Sequence, residues 1–276
     1  MHAIDSQFDE DRYLASNLDV KQAVGNGQFR SGLDHFLMYG HSENRTGVTV
    51  DPTAWALTCP QPPEYLRQRV HGARDLGGYL RLGLMIAEDL DRVMSEDSAS
   101  IPRDARVLDF GSGPGRVTPW LCHRHPEWRV FATDIDAEAV VWARMHWGAI
   151  AQFDCNLSMP PLYYPDGYFD FVCAVSVFTH LPEDMQSEWL SELARVTRHG
   201  GYFVASTHGA HPFRLLMPKT GFYYQIGGGT NGMPGFYQNS YQTTDYVLRE
   251  WQRHFSIEKI IPRGLARHQD LVICRK

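Results

Sequence analysis

VLDFGSGPGRV, residues 107–117, carries a short apolar run into a turn holding Gly111, Gly113 and Gly115, and then into a stretch where Val117, Trp120 and Leu121 fit a helix. That pattern reads as buried strand, tight turn and helix. Glycine lets the backbone turn sharply and approach a ligand closely, and the helix N-terminus behind the turn offers unpaired N–H groups, so a nucleotide-like ligand fits. A strand-to-helix turn with no ligand also needs a glycine, and the turn alone does not decide. Asp134, ending the next apolar run VFATD, adds weight because it stands 19 residues beyond Gly115, where a carboxylate can receive both hydroxyls of a ribose. Its competing role is a helix cap, for which Asp136, ahead of Ala137, Glu138 and Ala139, is better placed.

Outward from the turn, short apolar runs alternate with helical segments: RVLDF, WRVFATD, AIAQFD, YFDFVCAVS, GGYFVAST, FSIEKIIP and DLVICRK. Such alternation predicts an α/β fold, a largely parallel sheet covered on both faces, and the last two runs, joined by a short loop, predict an antiparallel pair. Thr244 is the expected cap of a helix carrying Val247, Leu248 and Trp251, with Trp251 in the core.

A nicotinamide cofactor is the obvious competitor, but Arg116 stands where the dinucleotide fingerprint wants a small residue. Asp109, inside the strand, is costly there without a partner, which an ammonium or the N–H groups of the turn would supply. At these residues the chain resembles the class I S-adenosylmethionine-dependent methyltransferases. VLDFGSGPGRV matches their first motif and ATDID the second; YPDGYFDFVCAVSVFTHLPED and ELARVTRHGGYFVAS match the fourth strand, its helix and the fifth strand, and the SVFTH element and QDLVICRK ending resemble a bacterial type.

The resemblance covers about residues 104–276 and implies a Rossmann-like seven-stranded sheet, order 3-2-1-4-5-7-6, the last strand antiparallel. It implies S-adenosylmethionine as cofactor and S-adenosylhomocysteine as product. By the same resemblance Asp109, Gly111 and Gly113 hold the methionine end, Asp134 the ribose and Ile135 the adenine face. Asn156 and Leu157 reach the adenine edge, with Asn156 replacing the commoner aspartate; Ser176 borders the sulfonium and Phe178 walls it.

Methyl transfer from a sulfonium is an in-line displacement aided mainly by alignment and desolvation. Where the acceptor must lose a proton, His180 in VFTHLPED is the candidate base, with a purely structural histidine as the competing reading. His208 and His211, in ASTHGAHPF, are expected at the ligand-binding edge, and His208 is the second catalytic candidate. No carboxylate or cysteine beside them completes a metal set, and no metal is expected. The segment 219–241, KTGFYYQIGGGTNGMPGFYQNSY, has no clear period and is the expected acceptor pocket, with Tyr223, Tyr224 and Tyr237 as substrate contacts alongside Phe236 and Tyr241.

Residues 1–46 form a predicted helical module, with Ser31 capping a helix near Gly32 and Gly40 ending it. This stretch resembles a module found beside bacterial glycosyltransferases and methyltransferases, often as YLxxNPDVxxAV, with Leu18 here in place of the proline. Docking to a protein partner or a second copy, and simple structural capping, are both open to it. Residues 47–103 are the expected linker and lid helices, with a helical stripe over 65–94 interrupted at Gly77 and Gly78, and 104–276 the catalytic domain.

With 26 basic against 32 acidic residues and no Lys/Arg-rich run, the chain lacks the footprint of a nucleic-acid binder. The acidic, polar N-terminus is unlike a signal peptide and no apolar run nears the length of a membrane span, so a soluble cytoplasmic protein is expected. Five scattered cysteines without a CxxC pair point to a reducing compartment. The expected activity is methylation of a small molecule, a glycan or secondary-metabolite precursor. The alternatives are a cyclisation that releases methylthioadenosine, and a non-catalytic scaffold that binds through the N-terminal module.

Overall fold

The computed structural model describes residues 8, 10–40, 43, 45, 54–96, 101–209, 216–228, 230 and 232–276. They fall into two compact units, Met1–Cys59 and Pro60–Lys276, so the boundary lies inside the expected linker. The 47–103 stretch is therefore divided, and its two longer helices belong with the sheet.

In the first unit α1 (Glu10–Ser16), α2 (Leu18–Gly25) and α3 (Gly32–His35) precede a π-helical turn, Phe36–Gly40, and α4 (Ala54–Leu57) follows. Tyr13, Val20 and Phe36 form its small core, with Phe8, Leu14 and Val24 packed around them. Ser31 caps α3 as expected, its Oγ accepting the Asp34 N–H at 3.0 Å. Glu10 adds what the sequence did not reveal, accepting the Gly32 and Leu33 N–H groups at 2.5 and 3.0 Å and so satisfying donors the short helix leaves open.

The second unit opens with α5 (Glu64–His71) and α6 (Leu76–Glu96). Gly72 ends α5 with φ +71°, so the helical stripe breaks there rather than at Gly77 and Gly78, which lie in the first turn of α6. Leu80, Leu84, Ile86, Leu90 and Val93 are buried, while Met85 of the expected stripe is exposed.

Then follow β1 (Arg106–Phe110), α7 (Thr118–Arg124), β2 (Arg129–Asp134), α8 (Ala137–Trp147), β3 (Gln152–Cys155), β4 (Phe169–Ala174), α9 (Glu183–Val196) and β5 (Thr197–Thr207). After β6 (Phe222–Gln225) and β7 (Asn239–Gln242) come α10 (Thr244–Trp251), β8 (Ser256–Leu265) and β9 (Gln269–Arg275). Seven strands make one sheet in the order β3-β2-β1-β4-β5-β9-β8. The first five pair in parallel and β9 runs antiparallel to both neighbours, which is the expected Rossmann-like order. All six β4 residues are buried, as a central parallel strand covered on both faces requires.

The core on one side of the sheet gathers Phe169, Phe178, Trp189, Leu193, Phe203 and Trp251. Trp251 is fully buried, as expected. The cap of α10 is Thr243 rather than Thr244, its side chain accepting the Tyr246 N–H. The expected pocket segment, 219–241, is more ordered than its composition implies, because its ends pair as the hairpin β6–β7.

Candidate functional site

A cavity of about 390 Å³ opens at the C-terminal ends of β1, β2 and β4, where parallel sheets of this kind take their ligands. The glycine turn forms its floor. Gly111 and Ser112 donate their N–H groups to the Thr133 carbonyl at 2.8 and 3.0 Å, folding the turn back onto β2. Gly111 has φ +80°, and a Cβ there would stand 2.2 Å from Val177; Gly113 has φ +53°, and a Cβ would stand 2.5 Å from Val70. Both positions need glycine for conformation and for space.

Asp134 ends β2 with its carboxylate bridging two backbone donors: Oδ2 accepts from Gly113 at 2.6 Å and Oδ1 from Asp136 at 2.8 Å. Burial outweighs those bonds and pushes its pKa up to about 6. Asp136 is the α8 cap, as expected, accepting from Glu138 and Ala139. Asp109 is buried in register with Ala132 and Cys173. Within the described residues its partners are the Thr118 hydroxyl at 2.6 Å and the Cys173 thiol at 3.8 Å rather than the N–H groups of the turn, and burial raises its pKa. Asn156 donates Nδ2–H to the Leu157 carbonyl, and its buried Oδ1 has no partner among the described residues.

Ser176, one residue past the all-buried stretch of β4 and its neighbour Val175, adopts φ +58°, a conformation rare for non-glycine residues. It is held by N–H donation to Ser206 Oγ at 2.8 Å and by its own hydroxyl on Gln269 Oε1 at 3.0 Å. The loop behind it is tied to β7: Ser240 N–H donates to the Thr179 carbonyl at 2.8 Å and Gln242 Nε2–H to Phe178 at 2.9 Å. His180 Nδ1 lies 2.7 Å from the Gln238 carbonyl. A carbonyl can only accept, so Nδ1 carries the proton and Nε2 is left as an acceptor. The ring stacks on Tyr237 at 4.1 Å, and burial lowers the His180 pKa to about 4.

Of the expected residues, Asp109, Gly111, Gly113, Asp134, Ile135, Asn156, Ser176, His180, Phe236 and Tyr237 line this one cavity. The others do not. Phe178 is a core residue, 4.9 Å from the Trp251 ring, because the left-handed Ser176 reverses the chain and brings Val177 over the glycine turn instead. Leu157 is 65% exposed, past the end of β3. His208 points its Nδ1 at the Ser240 carbonyl, 3.1 Å away, and packs on Tyr241, with burial lowering its pKa. Tyr223 faces Tyr241 across the hairpin, and Tyr224 spends its hydroxyl on the Phe236 carbonyl. His211 lies outside the described residues.

The sequence reading expected lid helices in 47–103 but missed Arg69 and Val70 of α5 as site residues. Val70 packs on Gly113, and Arg69 pairs with Asp136 at 2.8 Å and Glu138 at 2.9 Å. It also missed the turn between β8 and β9, which brings His268 and Gln269 to the cavity, and the guanidinium of Arg116. Arg116 directly follows the turn, which was the available signal; nothing local marks the others. Among the described residues no three His, Cys, Asp or Glu side chains group as metal ligands, and no helix is long and apolar enough to cross a membrane.

Sheet order and site together define a Rossmann-like fold with a cavity over a glycine turn. Residues 108–205 match the family model described as a methyltransferase domain, and the sheet order is the one found in class I S-adenosylmethionine-dependent methyltransferases. The cofactor of that class is S-adenosylmethionine, which leaves as S-adenosylhomocysteine. A trans-aconitate 2-methyltransferase of Azoarcus sp. is 32% identical over 120 residues, 43% of this chain and 46% of that relative. A ribosomal RNA large subunit methyltransferase F of Stutzerimonas stutzeri is 41% identical over 56 residues, 20% of this chain and 17% of that one. The chain thus spans under half the length of the curated relatives it matches, and the second of them leaves the expected exclusion of nucleic acid without support. An S-adenosylmethionine-dependent methyltransferase structure from Aquifex aeolicus shares the fold, with a TM-score of 0.51 and 17% identity over 78% of this chain and 98% of that one.

Proposed function

We propose that the protein methylates a small-molecule acceptor with S-adenosylmethionine bound in this cavity. The observation that carries the reading is the convergence of Asp109, the Gly111–Gly113 turn, Asp134 and Asn156 on one cavity. An ionised carboxylate has about four lone-pair sites; two on Asp134 serve backbone N–H groups, and the rest are free for the ribose hydroxyls. Asn156 Oδ1, buried without a partner among the described residues, suits the exocyclic amine of adenine, and Ile135 its face. Asp109 and the turn hold the methionine end, and Ser176 borders the sulfonium.

The cofactor supplies an electrophilic methyl group whose bonding pair leaves with sulfur. The chain's own residues align the acceptor, exclude water and take its proton, for which the unprotonated Nε2 of His180 is the group on hand. Tyr237 and Phe236 supply aromatic walls for the acceptor. The acidic balance of the chain favours a small molecule over a phosphate backbone, and a glycan or secondary-metabolite precursor remains the class proposed. Five free cysteines support a cytoplasmic setting. Purified protein given methyl-labelled S-adenosylmethionine and a panel of sugars, phenols and small acids should yield S-adenosylhomocysteine and a labelled product. Methylthioadenosine as the sulfur product would replace methyl transfer with cyclisation, and no cofactor binding would leave the scaffold reading.

A further inference from the structure

Arg116 is an uncommon residue to find where it is. It is 8% exposed, lines the cavity and has no ion pair among the described residues. One Nη donates to the Val70 carbonyl, and Nε, buried, has no partner among the described residues. Burial lowers its pKa, the cost expected of a charge taken from water without compensation. Asp109, also buried and lining the cavity, carries the opposite charge, yet its carboxylate is met by a hydroxyl and a thiol and not by the guanidinium. Two buried opposite charges that stay apart beside a cavity are complementary to a ligand that brings both signs.

We infer that Arg116 receives the α-carboxylate of the methionine portion of the cofactor while Asp109 takes its ammonium, the pair forming a receptor for an amino-acid zwitterion. This rests on the cofactor reading above and deepens it. The guanidinium lies at the right end of the site, since it bonds the backbone of Val70, whose side chain covers Gly113 of the turn. Arginine suits the task because its planar fork matches a carboxylate. The competing role is structural, a pin that holds α5 through the Val70 carbonyl.

Calorimetry with S-adenosylmethionine, decarboxylated S-adenosylmethionine and methylthioadenosine separates these cases. The full cofactor should bind the wild-type protein at least about tenfold more tightly than the decarboxylated form. Arg116→Gln should abolish that preference by weakening the full cofactor while leaving the decarboxylated one unchanged or tighter, and Arg116→Lys should keep part of it. Equal affinity of wild type for the two sulfonium ligands overturns the inference without any variant and leaves the cofactor reading intact, as does a preference that survives in Arg116→Gln. Failure of folded wild type to bind any of the three overturns the cofactor reading and the inference with it.

Discussion

Asp134 Oδ2 accepts the backbone N–H of Gly113 at 2.6 Å, across 21 positions of sequence. One carboxylate therefore shapes the glycine turn and also lines the cavity, where we propose that its remaining lone pairs take the ribose hydroxyls. Asp134→Ala should weaken S-adenosylmethionine by about 1.5–3 kcal/mol, as for hydrogen bonds to a charged group, and should also lower the thermal midpoint. Calorimetry and a melting curve on the same sample read both, and an unchanged dissociation constant removes the ribose role.

The pH dependence of this carboxylate has a definite sign. Its folded pKa, about 6, lies above the ordinary 3.8, so the folded state holds a proton that the unfolded state has lost. This contribution to stability is full below about pH 4 and is lost as pH rises through 6. Binding through the ionised form runs the other way. Cofactor affinity should rise between pH 5 and 7 with a midpoint near 6, and Asp134→Asn should flatten that rise.

His180 should stay neutral well into the acid range, its pKa held near 4 by burial. The unfolded chain takes the proton first, so its stabilising effect is present above about pH 6.5 and is lost as pH falls toward 4. An initial-rate profile should accordingly show no loss near pH 6.5 attributable to this ring. If His180 is the base, His180→Gln lowers kcat by about 10²–10⁴-fold with little change in cofactor affinity; a drop below tenfold assigns the ring to packing on Tyr237.

Gly111→Ala places a Cβ 2.2 Å from Val177 at φ +80°. Backbone strain alone should cost about 1–3 kcal/mol, and the clash adds to it. Val177→Ala in the same chain should recover the steric part and not the conformational part, which a double-mutant cycle of denaturant midpoints resolves.

In the N-terminal unit, Glu10→Ala removes the acceptor for the Gly32 and Leu33 N–H groups. The loss should be about 0.5–2 kcal/mol, the usual scale for a helix cap. Hydrogen exchange at those two amides should accelerate while the sheet amides stay unchanged.

The glycine turn, Asp134, the strand rhythm and the caps at Ser31 and Asp136 were legible in the sequence because each depends on neighbours a few residues away. The family resemblance extended that reading to the sheet order. Phe178 was misread because its direction depends on the left-handed Ser176, which is held from β5 and β9 through Ser206 and Gln269. Tyr223 and Tyr224 were misread because a hairpin pairing, invisible to any local period, turned them away from the cavity.

The sequence by itself determined the parallel α/β architecture and the glycine turn with Asp134 beside it, since apolar alternation and glycine spacing act over short range. Only the tertiary structure decided which walls close the cavity: α5, the β8–β9 turn, Arg116 and, among the aromatic candidates of 219–241, Phe236 and Tyr237. Those groups meet through contacts distant in sequence, such as Arg69 with Asp136 and His180 with Gln238, and packing rather than local preference chooses which side of each segment faces the ligand.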